Sequence, residues 1–336
     1  MDVRTPDWWY KRGARGAPWW RPVLLPLSWL WQWVNDAKRR SAKPYRSSVF
    51  VISVGNLTLG GSGKTPVAAE ILRLLDGQKA AGLSKGYGGE LDGPVWVDAQ
   101  THTAAQVGDE PLMLASRAPI LVAKDRAAGL QRLETDGMAI AVIDDAHQNL
   151  KIAKDLHVLV VDGDTRDGAW PFGDGGICPY GPMREPFAEG LARADLCVLW
   201  MPDGTSQPDP NLLAILAPKP VFVARLTPGA VESPGPVIAF AGIAKPWKFE
   251  SSLRDQGFTV DVFRSYPDHV SPSDGELNDM AHQAAVKQAQ LITTEKDWVR
   301  LDPVWRERVT YLPISAQFDD EAGFSAAVRL AIPRSA

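Results

Sequence analysis

Cysteine, long apolar runs and, over most of its length, positive charge are scarce in this 336-residue chain. Cys178 and Cys197 are the only cysteines, and no CxxC or Cys/His cluster accompanies them. A disulfide framework and a structural zinc site are thereby excluded, and a reducing compartment is expected. The most apolar stretch, Pro22–Trp31, gives way to Gln32, whereas a membrane-spanning helix needs about 20 apolar residues. No spanning anchor is expected, nor a secretory signal: prolines and tryptophans crowd the region and no small-x-small cleavage site follows. The net charge of −4 speaks against a general nucleic-acid binder. With 45% hydrophobic and 23% charged residues, the chain is not disordered, collagenous or coiled coil overall.

The charge is unevenly placed. Residues 1–50 carry ten Lys/Arg against three acids, a local +7, so the remainder carries −11. Seven of the thirteen tryptophans (Trp8, Trp9, Trp19, Trp20, Trp29, Trp31 and Trp33) fall in the same leader. Continued as a helix from Leu25, it puts Ser28, Gln32 and Asn35 on one stripe, with Leu27, Leu30, Trp31 and Val34 largely opposite. Trp favours the headgroup region and Lys/Arg are drawn to anionic lipid, so residues 1–45 read as a membrane-association segment on an interfacial helix. The competing reading packs this helix on the body, with its tryptophans in the core or at an oligomer interface.

From residue 48 onward, short β-branched runs alternate with helical stretches, as in a parallel sheet with crossover helices. Strands are expected at 48–54, 139–143, 158–161, 196–200, 221–224, 237–241, 259–263 and 291–293. Helices are expected at 66–75, 111–116, 126–133, 247–256 and 273–288. The interval from Asp162 to about Pro186, rich in glycine and proline, reads as a long functional loop. A fresh βαβ pattern from Val237 places a lobe boundary near 225–236. The expected organisation is a leader (1–45), a core lobe (46–230) and a smaller C-terminal α/β lobe (231–336).

Val49–Val54 runs into Gly55-Asn-Leu-Thr-Leu-Gly-Gly-Ser-Gly-Lys-Thr65, with a helix expected next. This is the strand, glycine-rich turn and helix context of a Walker A phosphate loop, apart from Thr58 at its first position. Residues Thr58, Leu59, Gly60, Gly61, Ser62, Gly63, Lys64 and Thr65 would cradle phosphates through backbone N–H groups. Lys64 would supply a point charge at the β/γ bridge, Thr65 a hydroxyl for Mg²⁺. Met138–Asp145 is the matching hydrophobic strand ending in acid, so Asp144 and Asp145 are candidate Mg²⁺ carboxylates, directly or through water. Thr294-Glu-Lys-Asp297 has the wrong order for a guanine-reading motif, and ATP is expected over GTP.

These pieces, in order, resemble the tetraacyldisaccharide 4′-kinase family of lipid A synthesis. The resemblance rests on Ser53-Val-Gly-Asn-Leu-Thr58, Leu83-Ser-Lys-Gly-Tyr-Gly-Gly89, Gly108-Asp-Glu-Pro111, Asp144-Asp145 with Gln148, Gly181–Pro186, Phe240–Ile243, Tyr266-Pro-Asp-His269 and Thr294–Asp297. It implies a P-loop NTPase-like parallel sheet with helices on both faces, a second smaller lobe and an active site in the cleft between them. It further implies transfer of the γ-phosphoryl of ATP to the 4′-hydroxyl of a tetraacyldisaccharide 1-phosphate, on the cytoplasmic face of the bacterial inner membrane. The implied partners are that lipid and an anionic membrane surface, without nucleic acid or an obligate protein partner.

By the same resemblance, Asp109 and His269 deprotonate the sugar hydroxyl, a carboxylate orienting an imidazole that takes the proton. From the residues alone, Asp109 would be a helix N-cap and His269 a loop histidine. Gln148, Arg184 and Glu185 are candidates for acceptor binding, Arg184 at the 1-phosphate, against the alternative of an Arg–Glu surface pair. Departures from the family pattern include Ala146 for Gly, which matters if that position needs φ > 0, together with His147 for Phe, Asn149 for His and Val270 for His. None removes Lys64, Thr65, Asp109, Asp145 or His269, so activity is expected. The alternative function is a membrane-associated P-loop regulatory or assembly ATPase, which would need no general base opposite its nucleotide.

Overall fold

The structure, a computed structural model, describes residues 5–60, 62–229, 234–243, 246–267 and 270–333. Its larger sheet has nine strands in the order β13-β8-β7-β6-β1-β5-β2-β4-β3. These are β1 (Phe50–Gly55), β2 (Ala80–Ser84), β3 (Val95–Trp96), β4 (Ile120–Val122), β5 (Ile140–Asp144), β6 (Leu156–Asp162), β7 (Leu196–Met201), β8 (Val221–Pro228) and β13 (Ile314–Phe318). Only the two edge pairings, β3 with β4 and β13 with β8, are antiparallel. The smaller sheet is wholly parallel, in the order β10-β9-β11-β12, from β9 (Pro236–Ala241), β10 (Thr259–Ser265), β11 (Gln290–Thr294) and β12 (Thr310–Leu312).

Alternation along the central strands explains the layering. Ile52, Val54, Val142, Val158, Val160 and Val198 face one core, covered by the helices Lys64–Leu74 and Glu321–Ala331. Val51, Ala141 and Ile143 face the other side, under the helix Arg126–Thr135, and Leu159, Val161 and Leu199 continue that side. Strands buried on both faces read as continuous apolar runs, which is how β1, β5, β6 and β7 were recognisable. The expected helices 247–256 and 273–288 are found as Pro246–Asp255 and Asp274–Lys287, the latter opened by a capping box between Ser273 and Glu276.

Of the expected C-terminal lobe, the strands from Pro236 to Leu312 build the small sheet. β13 and the helix Glu321–Ala331 then return to the large one.

The leader forms a helix over Leu25–Ser41 whose orientation differs from both expectations in one respect each. Its polar stripe faces inward: Ser28 is 4% exposed, donates to Ile177 O at 2.8 Å and accepts from Tyr180 N at 3.1 Å. Leu27, Trp29, Leu30, Trp31 and Trp33 are exposed, as are Trp19 and Trp20 before it. The helix does pack on the body, yet through polar groups that match a polar loop, leaving its apolar side uncovered. No helix among the described residues is long and apolar enough to cross a membrane.

Candidate active site

β1 lies between β5 and β6, so its carboxyl end delivers the chain to the middle of the large sheet, where open α/β sheets bind ligands. Gly63 caps the following helix at φ +80°, and a Cβ there would come 2.3 Å from the Trp200 ring. Only glycine satisfies both the backbone turn and that close approach. Asn56 Nδ2 donates to Ser62 Oγ at 2.9 Å across the turn, and Tyr10 from the leader donates its hydroxyl to Leu59 O. Gly60 and Ser62–Thr65 thus form a glycine-rich turn leading into a helix N-terminus, whereas Thr58 pairs with Met183 and the Leu59 N–H, expected to face phosphate, is taken by Pro182 O; Gly61 lies outside the described residues.

Beside this loop stand the two carboxylates of β5. Thr65 Oγ1 donates to Asp144 Oδ2 at 2.7 Å, while Asp144 Oδ1 is buried without a hydrogen-bond partner. Burial and the neighbouring Glu110 carboxylate push Asp144 up to about 6, against the pull of Lys64 and Thr65. Asp145 lies 3.7 Å from Lys64 Nζ and accepts from Arg184 Nη1 at 3.0 and 3.2 Å. Burial works against its charge, but Lys64 and Arg184 together hold Asp145 below the usual carboxylate range. The positive φ of this turn sits on Asp145, at +50°, and not on Ala146, so alanine is accommodated where the family pattern has glycine.

No group of three or more His, Cys, Asp or Glu side chains suited to a metal occurs among the described residues. Mg²⁺ does not require one, since it is held through one or two carboxylates together with substrate phosphates and water. The orphaned, buried Asp144 oxygen beside the Thr65 hydroxyl fits that donor set.

Asp109 opens the helix Asp109–Ala115 behind Gly108, whose φ of +90° and approach to Tyr87 O leave no room for a side chain. The motif Leu83–Gly89 and the motif Gly108–Pro111 therefore pack on each other. Asp109 is buried and is gripped by Arg300, whose Nε donates at 2.9 Å and whose Nη2 also donates to it. Arg300 also donates to Gly242 O at 3.2 Å and to Asp297 at 2.8 Å. Lys296 stands 3.9 Å from Asp109 and 3.6 Å from Glu110. Asp109 thus belongs to the large sheet's side and is held by residues following β11 of the small sheet. His269 lies outside the described residues.

Arg184 and Glu185 have different partners and share only Gln148. Arg184 Nε donates to Thr58 O at 3.1 Å and its backbone N–H to Leu57 O at 2.8 Å, which fastens it to the phosphate loop. Glu185, 3% exposed, accepts from Arg39 at 2.9 Å, from Gln148 at 3.0 Å and from Arg193. His147, where the family pattern has Phe, is buried edge-on to His157 at 5.8 Å, and burial pushes both imidazoles down to about 4, which keeps them neutral.

Sequence reasoning missed Arg300, Lys296, Arg39 and Arg193. Arg300 had one available signal, its i,i+3 spacing from Asp297.

The family model described as tetraacyldisaccharide-1-P 4′-kinase matches residues 20–332. A relative from Phenylobacterium zucineum (strain HLK1), named tetraacyldisaccharide 4′-kinase, is 49% identical over 328 residues, covering 98% of this chain and 99% of its own. A second of the same name, from Caulobacter vibrioides (strain NA1000 / CB15N), is 49% identical over 331 residues, covering 98% and 99%. Among solved structures, the "apo" form of LpxK from Aquifex aeolicus in complex with ATP superimposes with a TM-score of 0.70 at 26% identity, covering 93% of this chain and 99% of that one.

Proposed function

The chain belongs to the tetraacyldisaccharide-1-P 4′-kinase family, and from that premise we infer that it transfers the γ-phosphoryl group of ATP to the 4′-hydroxyl of a tetraacyldisaccharide 1-phosphate lipid, a step of lipid A biosynthesis. The observation that carries this reading is the union of a phosphate loop with Thr65 on Asp144 and Lys64 on Asp145 in a chain of that family. The chemistry asks the protein mainly for positioning and charge neutralisation, because the transferred group passes through a loose transition state.

In this mechanism the N–H groups of residues 60–65 and the Lys64 ammonium hold the β- and γ-phosphates, Leu59 N–H being taken by Pro182 O. Arg184, expected at the acceptor's 1-phosphate, is instead fixed between Thr58 O and Asp145, where it adds a planar cation beside them. Thr65, Asp144 and Asp145 would hold Mg²⁺, which supplies charge neutralisation at the phosphates when bound. Asp109 acts with His269 on the acceptor hydroxyl. A carboxylate gripped by a guanidinium is a poor proton acceptor, so Asp109 orients and His269 takes the proton. Gln148 and Glu185, expected to bind the acceptor, are instead spent on internal partners, Gln148 on Asn56 O and Glu185 on Arg39 and Arg193, and so support Arg184.

The uncovered row of Leu27, Trp29, Leu30, Trp31 and Trp33 supports a seat on the cytoplasmic face of the inner membrane, where an acylated acceptor resides. We place the leader at residues 1–45, the core lobe at 46–230 completed by β13 and the helix Glu321–Ala331, and the second lobe at 231–312 rather than to the end of the chain, with the acceptor in the cleft between them.

The test is incubation of the chain with ATP, Mg²⁺ and a tetraacyldisaccharide 1-phosphate in mixed micelles, followed by mass and phosphorus NMR analysis of the lipid. A single added phosphate on the 4′ oxygen is expected. Phosphate on another oxygen, or ADP release with unchanged lipid, would overturn the assignment.

A further inference from the structure

The leader helix meets the loop that runs from Asp174 to Glu185, and that loop is also fastened to the phosphate loop. On the leader side, Arg21 donates to Tyr180 O at 2.9 Å and to Asp174 at 2.7 Å, Ser28 bonds Ile177 O and Tyr180 N, and Trp31 Nε1 donates to Arg184 O at 3.4 Å. On the nucleotide side, Leu59 N donates to Pro182 O at 2.9 Å and Arg184 N to Leu57 O at 2.8 Å, with Thr58 paired to Met183 between them. Toward the C-terminal end of the leader helix, Arg39 donates to the buried Glu185 at 2.9 Å and to Glu189 at 2.5 Å.

We propose that Arg39 is a positioning residue for phosphoryl transfer: by holding Glu185 it fixes Arg184 and Gln148 against the phosphate loop, so that the leader helps organise the nucleotide site. The proposal rests on the kinase reading above. Glu185 and Arg184 are adjacent in the chain, Glu185 meeting Arg39 of the leader and Arg184 meeting Thr58 and Asp145 at the nucleotide site. Any shift of one is carried to the other by the shared backbone. A second path runs through Gln148, whose Nε2 donates to Glu185 at 3.0 Å and to Asn56 O at 2.7 Å, which turns its Oε1 toward Arg184 Nη1 at 3.4 Å. A carboxylate as buried as Glu185 must keep its donors. Without Arg39 it moves onto Arg193 alone and draws Gln148 and Arg184 with it, and small misplacements at a phosphoryl-transfer site are expensive.

The experiment compares Arg39→Ala and Arg39→Lys with Arg40→Ala, which removes the same charge from the same exposed helix end. Three quantities are read: affinity for a fluorescent ATP analogue in detergent without lipid acceptor, kcat with the KM values for ATP and lipid, and sedimentation with vesicles containing phosphatidylglycerol. Expected is a loss of kcat and of analogue affinity in Arg39→Ala about tenfold larger than in Arg40→Ala, with equal loss of vesicle binding in both and partial recovery in Arg39→Lys. In a Glu185→Gln background, Arg39→Ala should add no further loss. Equal effects of Arg39→Ala and Arg40→Ala, or losses that multiply in the Glu185→Gln background, would overturn the proposal. Should Arg39→Ala fail to fold, as judged by thermal melting, Arg39→Lys against Arg40→Ala decides the matter. If the wild type binds the analogue but never phosphorylates lipid, the kinase reading fails, and the analogue affinities still report on Arg39.

Discussion

At the residue scale, the phosphate loop was legible because its chemistry demands particular residues at particular spacings. Gly63 shows how strictly: an alanine would have to accept φ +80° and a Cβ 2.3 Å from the Trp200 ring. Gly63→Ala is therefore expected to weaken ATP-analogue binding by an order of magnitude or more, read by fluorescence titration. Asp144 and Asp145 were equally legible, but their different roles were not, because these arise from partners distant in sequence. Glu110 and burial raise Asp144 to about 6 from its ordinary 3.8. A carboxylate raised to about 6 takes up its proton as the pH falls through that value, and a protonated Asp144 is a poor cation ligand. Mg²⁺-dependent enhancement of nucleotide binding should accordingly fade below pH of about 6, and Asp144→Asn should remove it at every pH, both measured by titration with and without the ion. An Mg²⁺ effect unchanged at pH 5 would assign the ion elsewhere.

The apolar runs of β1, β5, β6 and β7 were legible, as was the edge strand β10, whereas β2, β3, β4, β12 and β13 were not. β2, read as Ala-Ala-Gly-Leu-Ser, has little intrinsic strand preference and exists because β5 and β4 flank it. β13 was missed because it pairs antiparallel with β8, across a sequence separation that no local pattern reveals. The leader helix was readable as a helix, while the side it buries depended on the loop beneath it. Ser28, Gln32 and Asn35 turn toward that loop, and the aromatic side turns out. Replacing the exposed Trp29 and Trp33 together by Ser should lower co-sedimentation with anionic vesicles several-fold while leaving the melting temperature in solution within a degree or two. Unchanged sedimentation would mean that this row does not meet lipid.

Among the described residues two sheets organise the molecule, and ion pairs with at least one buried partner cross between their surroundings. Arg117, which follows the helix opened by Asp109, donates to Glu295 at 2.5 Å, and Arg300 from beyond β11 grips Asp109. Such pairing cannot be read from sequence, since neither partner's own segment signals the other. Glu295 is 6% exposed and burial raises its pKa, so Arg117→Ala would leave a carboxylate poorly solvated. Arg117 is itself partly exposed, which lets water compensate. A destabilisation of about 2 kcal/mol is expected, below the range for fully buried pairs, and denaturant melts would measure it. No change would mean that this bridge contributes nothing to holding the two parts together.

The central claim is that the phosphate loop delivers the γ-phosphoryl of ATP to a lipid hydroxyl. Its most direct test follows label from γ-labelled ATP into a tetraacyldisaccharide 1-phosphate in mixed micelles, with wild type beside Lys64→Ala. The account predicts labelled bisphosphorylated lipid with the wild type and a loss of at least about a hundredfold in rate with Lys64→Ala. ATP hydrolysis by the wild type with no label in the lipid would contradict it and point instead to a membrane-associated ATPase whose output is conformational.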